Sequence, residues 1–178
     1  MERIMSRCVR IVSLISLLAA AVAMGATEYS VVFPDDAGVV DVTKPPYEAD
    51  TIHDATAAIQ QALDDYPNGN RIIYLPAGTY KVSSTLRWGG TTSGNREKRT
   101  SLHGQGRDQT FIRLVDNTDG FSDAGSPAAV VWCGTAPAQR FGNAIRHLTI
   151  HTGTGNPGAC GIRYNTSNQG MIERVRIV

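Results

Sequence analysis

Apolar positions along most of this chain come in short runs, but one segment has a longer rhythm. In residues 51–69, "TIHDATAAIQQALDDYPNG", Ala55, Ile59, Ala62, Leu63 and Tyr66 fall on one face at helical spacing. The spacing predicts a helix over 52–66, with Asp50, Thr51 and Asp54 as candidate N-caps and Pro67-Asn68-Gly69 as the stop. Upstream, Pro45 and Pro46 make "DVTKPPY" extended. After Gly69 the runs are "RIIYL", "TYKV", "SLHG", "TFIRL", "AVVWC", "NAIRHLTI", "GIRY" and "MIERVRIV", punctuated by Gly, Pro, Asn and Ser. Short β-rich runs between turn residues predict strands. No second long helical pattern follows, which argues against alternating strand and helix units.

The strands repeat. Ile145 and Ile172, Leu148 and Val175, and Ile150 and Ile177 are each 27 positions apart. So are Cys133 and Cys160, and the glycines after them, Gly134 and Gly161. A shared offset of this size indicates a solenoid. With short strands and no repeating helix, the solenoid is an all-β parallel β-helix, whose stacked coils share one core. The 52–66 helix then acts as an N-terminal cap, covering strand edges that would otherwise be open. The last apolar run reaches Val178 with no second cap. The sequence therefore reads as a solenoid truncated at the C-terminus, or one that stacks on something else.

Residues 1–23 fall outside this pattern. Arg3, Arg7 and Arg10 precede an apolar run that closes on Ala21-Val22-Ala23. This reads as a secretory signal peptide, and so predicts a secreted or periplasmic product with no membrane attachment after cleavage. Residues 24–37 form a lead-in, and 38–178 the β-helix domain. Removing 1–23 takes three arginines and one glutamate from 17 basic and 16 acidic residues, leaving a nearly neutral chain. That balance does not call for nucleic acid or an anionic membrane as partner. Oligomeric state is not encoded in any of these features.

The stretches "VVDVTKPPY", "DATAAIQQAL", "RIIYLPAGTYKVSSTL" and "SLHGQGRDQTFIRL" carry a family resemblance. Over about residues 38–115 the chain resembles the N-terminal region of the pectate-lyase-like superfamily. More narrowly, it resembles the rhamnogalacturonase/epimerase-type pectate lyase domain, a right-handed parallel β-helix. "YLPAGTY", Tyr74 to Tyr80, is the most specific piece. The Gly-Asp-Gly segment usual before the helix is replaced by "EADTIHDAT". The resemblance implies a secreted protein acting on polysaccharide and leaves lyase, hydrolase and epimerase chemistry open.

Asn117-Thr118-Asp119-Gly120 resembles a catalytic motif of polygalacturonases, which makes Asp119 a candidate catalytic carboxylate. The paired Asp, Gly-His-Gly and basic elements that follow in those enzymes are absent here, and "VDNTDGFSDAGSP" is dense in turn residues. Turn chemistry outweighs catalysis at Asp119. The "GQGRDQ" stretch lacks a third glycine and a following helix, so it is a coil turn rather than a phosphate loop. His147 and His151 would stand about 13 Å apart on a strand, too far to share an ion. The 27-residue offset sets His147 above Arg174 and Thr149 above Arg176, an outward polar column that fits a solvated face or an anionic sugar chain. Cys133 and Cys160, one period apart, would be neighbours and either form a disulfide or lie as stacked thiols. Tyr80, Trp88 and Trp132 suit packing more than sugar stacking.

Two functions fit. The first is the N-terminal part of a secreted enzyme acting on pectin-like uronic-acid polymers. A lyase would abstract the proton alpha to the carboxylate, with Ca²⁺ or an arginine stabilising the charge; a hydrolase would use two carboxylates. The second is a non-catalytic extracellular carbohydrate-binding or tailspike-like stalk. No catalytic residue is assigned beyond the candidate Asp119.

Overall fold

A computed structural model describes residues 29–36, 38–88, 98–134 and 140–178. The segment assigned as a signal peptide lies outside the described residues.

The elements in chain order are β1 (Val39–Asp41), α1 (Thr56–Asp65), β2 (Asn68–Leu75), β3 (Gly78–Val82), β4 (Leu86–Arg87), β5 (Lys98–Gly104) and β6 (Thr110–Leu114). They continue with β7 (Ala128–Cys133), β8 (Ala144–Arg146), β9 (Thr149–His151), β10 (Ala159–Tyr164), β11 (Met171–Glu173) and β12 (Arg176–Ile177). Three parallel sheets result. Sheet A runs β1-β2-β5-β8-β11, sheet B runs β12-β9-β6-β3, and sheet C runs β10-β7-β4. Each coil visits A, B and C in turn, so the fold is a parallel β-helix.

Alternation along each strand sends every second side chain inward. The register then stacks like upon like. Ile73, Leu102, Ile145 and Ile172 form one column under sheet A. Tyr80, Ile112, Ile150 and Ile177 form another under sheet B, and Leu86, Val131 and Ile162 a third under sheet C. Most of these are fully buried, each contributing about 1.5–3 kcal/mol of burial free energy. Stacked coils also approach closely. A Cβ on Gly104 would lie 2.4 Å from the His147 carbonyl oxygen, so only glycine fits there.

The helix begins at Thr56, later than the apolar spacing predicts. Asp50 accepts hydrogen bonds from the backbone N–H groups of Ile52 and His53 at 2.7 Å. Asp54 accepts from the Thr56 N–H at 2.8 Å and also bonds the Ser83 hydroxyl. These carboxylates fold residues 50–54 into turns instead of a first helical turn. From Thr56 on, Ile59, Ala62 and Leu63 pack into the core as expected of a cap. The helix also closes a strand edge. The Gln60 amide donates to the Arg87 carbonyl at 2.7 Å and accepts from the Arg87 N–H at 2.8 Å. It thereby supplies to β4 the two bonds that a neighbouring strand would supply.

The 27-residue offset holds between the last two strands of sheets A and B, but not in sheet C or between earlier coils, where Leu102 pairs with Ile145 and Ile112 with Ile150. Ala144 pairs with Met171 and Thr149 with Arg176, yet Ala128 pairs with Ala159, an offset of 31. The extra residues lie in the connection from C to A, which spans 134–143 in one coil and only 165–170 in the next. Cys133 therefore sits beside Tyr164, and Cys160 beside Ala129. The expected stacking of the two cysteines is corrected on this point. Neither forms a disulfide; Cys133 is buried and Cys160 half-buried.

Candidate polysaccharide-binding face

The same register of sheet C builds an outward row. Leu86, Val131 and Ile162 point inward, so Arg87, Trp132 and Arg163 point out, one above another. In-register neighbours in a parallel sheet are about 4.8 Å apart, so the row spans roughly 10 Å. Arg87 Cζ lies 5.3 Å from the Trp132 ring centroid. Arg140, from the connection after β7, lies 5.5 Å from the same ring and donates to the Trp88 carbonyl at 3.3 Å. A guanidinium laid on an indole uses its face and leaves N–H donors in its plane, the geometry that grips a carboxylate. Arg87 and Arg163 are exposed, and neither has a carboxylate partner among the described residues. The row thus presents exposed cationic groups, with Trp132 buried beneath them, and is suited to an anionic sugar chain.

Acid–base residue types are concentrated elsewhere. On the outer face of sheet A, Asp41, Tyr74, His103, Arg146 and Glu173 stand in register. Residues 29–33 lie across this row as a strap. The Val31 N–H donates to the Gln105 carbonyl at 2.7 Å, and the Tyr74 hydroxyl donates to the Val31 carbonyl at 3.1 Å. Phe33 contacts Tyr74 and His103 with ring centroids 5.2 and 4.9 Å apart. Tyr29 stacks on His147 at 4.8 Å, with Arg174 4.2 Å above Tyr29. Burial pushes the His103 imidazole down to about 4, helped by His147 and Arg146 nearby. Burial also raises the Tyr74 phenol, with Asp41 adding to the effect. His103 and Tyr74 are therefore neutral and buried under the strap, so their role here is in packing.

Asp119 is exposed in the loop between β6 and β7. Asn156, one coil on, accepts from the Thr118 N–H at 2.7 Å and donates to the Val115 carbonyl at 2.8 Å. Asn117 and Gly120 adopt left-handed φ of 53° and 83°. The neighbouring acids are engaged in the same loop, Asp116 with Arg113 and the Thr154 N–H, Asp123 with the Gly125 N–H. The motif thus folds as a pinned turn. His147 packs against Tyr29, whereas His151 accepts from the Gly153 N–H, so the two serve separate contacts. The expected outward column is occupied from within the chain: Thr149 is buried and donates to the Arg107 carbonyl, and Arg176 pairs with Asp108. Tyr80 and Trp88 are core residues, while Trp132 sits in the outer row but is buried there under Arg87 and Arg140.

Among the described residues no three His, Cys, Asp or Glu side chains are grouped to hold a metal. The sheet C row offers guanidinium groups rather than oxygen donors, so Ca²⁺ does not fit there. Nor is any described helix long and apolar enough to cross a membrane. Sequence reasoning missed Arg87, Arg140 and Arg163. Arg87, Trp132 and Arg163 are not related by the 27-residue offset, and the available signal was the shared order of an aliphatic residue followed by a large arginine or tryptophan in "TLRW", "VVWC" and "GIRY".

A helix-capped parallel β-helix with such a row places the chain among carbohydrate-active β-helix proteins. The chain belongs to the Rhamnogalacturonase A/epimerase, pectate lyase-like family, which matches residues 39–178. It is similar to mannuronan C5-epimerase AlgE2 of Azotobacter vinelandii, with 41% identity over 73 residues, covering 39% of this chain and 7% of that protein. Two solved structures share the fold. Geobacillus virus E2 ORF18 matches with a TM-score of 0.56 and 21% identity, over 78% of this chain and 25% of that one. The A-module of mannuronan C-5 epimerase AlgE4 from Azotobacter vinelandii matches with a TM-score of 0.51 and 22% identity, over 77% of this chain and 37% of that one. The chain therefore spans a small part of each relative's length.

Proposed function

We propose that this chain belongs to an exported carbohydrate-active protein whose sheet C face binds uronic-acid polysaccharide. The observation that carries this reading is the Arg87–Trp132–Arg163 row, cationic and without carboxylate partners among the described residues. Trp132, only 8% exposed, lies under the Arg87 and Arg140 guanidinium groups and backs them, while the exposed Arg87 and Arg163 pair with uronate carboxylates. Lyase and epimerase chemistry both begin by removing the proton alpha to that carboxylate, a step that needs the carboxylate charge neutralised. Arg87 and Arg163 are suited to that neutralisation. Hydrolysis would need two flanking carboxylates, and this row contains none, which favours proton abstraction. The base would come from outside the row.

The test is binding of mannuronate and galacturonate oligosaccharides by calorimetry. Trp132→Ala and Arg163→Gln should each weaken binding about tenfold, the effect of losing roughly 1.4 kcal/mol. Unchanged affinity in both variants would remove the face from consideration. A second reading, a binding stalk without catalysis, is favoured by the absence of a His, Asp or Glu from the row itself. Ultraviolet absorbance of unsaturated ends and NMR of epimerised residues separate the two. Export is tested by N-terminal sequencing of the secreted product, with cleavage expected after Ala23.

A further inference from the structure

A second cationic surface lies where the connections from sheet C reach sheet A. Four stacked positions there take the left-handed conformation: Asn70 (φ 56°), Arg99 (φ 59°), Gly142 (φ 65°) and Gln169 (φ 65°). Asparagine and glycine accept that conformation readily, whereas arginine does so at a cost of about 1 kcal/mol or more. Arg99 is held in place by its N–H, which donates to the Phe141 carbonyl at 2.7 Å. Its side chain lies against the next coil, where a Cβ on Gly142 would stand 3.3 Å from Arg99 Cγ. Arg71 flanks it, with Cζ 5.6 Å from the Tyr66 ring and Nη1 donating to the Gly69 carbonyl at 3.4 Å. Together with Asn70, Ser101 and Gln169 the two arginines line an open groove of about 310 Å³ that contains no carboxylate. Neither arginine has an acidic partner among the described residues.

We propose that this groove is a second anion-recognition site, which takes the carboxylate of one sugar-acid residue of an acidic polysaccharide. The identity of the ligand rests on the function proposed above; the site itself is separate from the sheet C row. Two guanidinium groups lining one groove offer donors for the two oxygens of a carboxylate. The Asn70 and Gln169 amides and the Ser101 hydroxyl supply neutral donors and acceptors for ring hydroxyls. The sheet C row and the groove border the two ends of the same C-to-A connections, so one polymer has a contact point on either side of them.

The test follows the Arg71 and Arg99 side-chain Nε–H signals by NMR as a hexamer of mannuronate or galacturonate is added. Inorganic sulfate alone forms a second arm, and a carboxyl-reduced hexamer a third. The site predicts shifts at both arginines with a uronate hexamer and none with the reduced one. It also predicts about tenfold weaker hexamer binding in Arg71→Gln/Arg99→Gln, whose thermal melt should match wild type. If that double variant binds like wild type while Trp132→Ala binds weakly, the groove is refuted and the sheet C reading stands. Shifts with sulfate but not with either uronate hexamer would reduce the groove to a simple anion site and overturn the proposal. A wild-type chain that binds no uronate hexamer at all would remove both readings.

Discussion

The imidazole rings of His103 and His147 lie 4.7 Å apart, one from each of two successive coils, beneath a strap that contributes Phe33 and Tyr29. Tyr74, Asp41, Arg146, Glu173 and Arg174 surround the pair on sheet A and the bends after it. Burial holds His103 neutral down to about pH 4, and burial also lowers His147. The unfolded chain binds a proton at His103 near pH 6.5, before the folded chain does. The associated stability is therefore fully present above pH 6.5 and is lost as pH falls from 6.5 to about 4. The loss is roughly 3 kcal/mol at most, at 1.36 kcal/mol per unit. Urea midpoints at pH 7 and pH 4.5 should differ in the wild type, and His103→Phe should flatten that difference. An equal pH slope in the variant would contradict the assignment.

Phe33 is the strap's main anchor, touching both Tyr74 and His103. It is half-buried, so Phe33→Ala should cost about 1–2 kcal/mol of stability. A purely local packing loss would stop there. Here the change also uncovers His103, so its NMR titration midpoint should rise from about 4 towards its ordinary range.

The reciprocal bonds between Gln60 and Arg87 close the β4 edge. Gln60→Ala leaves both backbone groups of Arg87 without those bonds and should cost about 1–2 kcal/mol. Amide exchange at Arg87 should speed up more than exchange elsewhere in the strands. Uniform acceleration would point instead to general loosening.

Gly104→Ala places a Cβ within 2.4 Å of the His147 carbonyl oxygen. That oxygen and the next nearest atoms, the Leu148 and Thr110 Cβ atoms at 2.8 Å, are not the ends of flexible side chains, so the coils must part, at a cost of about 1–3 kcal/mol or more. Thermal melts should show the loss directly. A matched Gly120→Ala change, which meets nothing within 4 Å but sits at φ 83°, should cost less.

The cysteines offer a chemical check on the register. Offset by four residues in the ladder, they are not bridged to each other, and Cys160 is the more accessible. A thiol reagent should modify Cys160 first and Cys133 only on unfolding, with two thiols titrating in a denatured, unreduced chain of residues 24–178.

The sequence made the stacked core legible because an inward apolar position recurs once per coil, as in Ile145 and Ile172. The capping helix was legible from Ile59, Ala62 and Leu63, though its start was not, since Asp50 and Asp54 draw the chain into turns first. The outer row was hidden for a different reason. Arg87, Trp132 and Arg163 become neighbours only through connections of unequal length, and a fixed offset cannot find them. The strap was also hidden, because Tyr29 and Phe33 reach their partners across more than 40 positions of chain.

That unequal connection has a further consequence. Strands β8 and β11 stay in register although the connections leading into them, 134–143 and 165–170, differ by four residues. The ladder thus measures the chain only where strands pair and is indifferent to what is threaded between sheet C and sheet A. That corner works as an insertion port. Segments grafted there would leave the stack intact while reshaping the border of both arginine surfaces, so new ligand preferences could be introduced without redesigning the core.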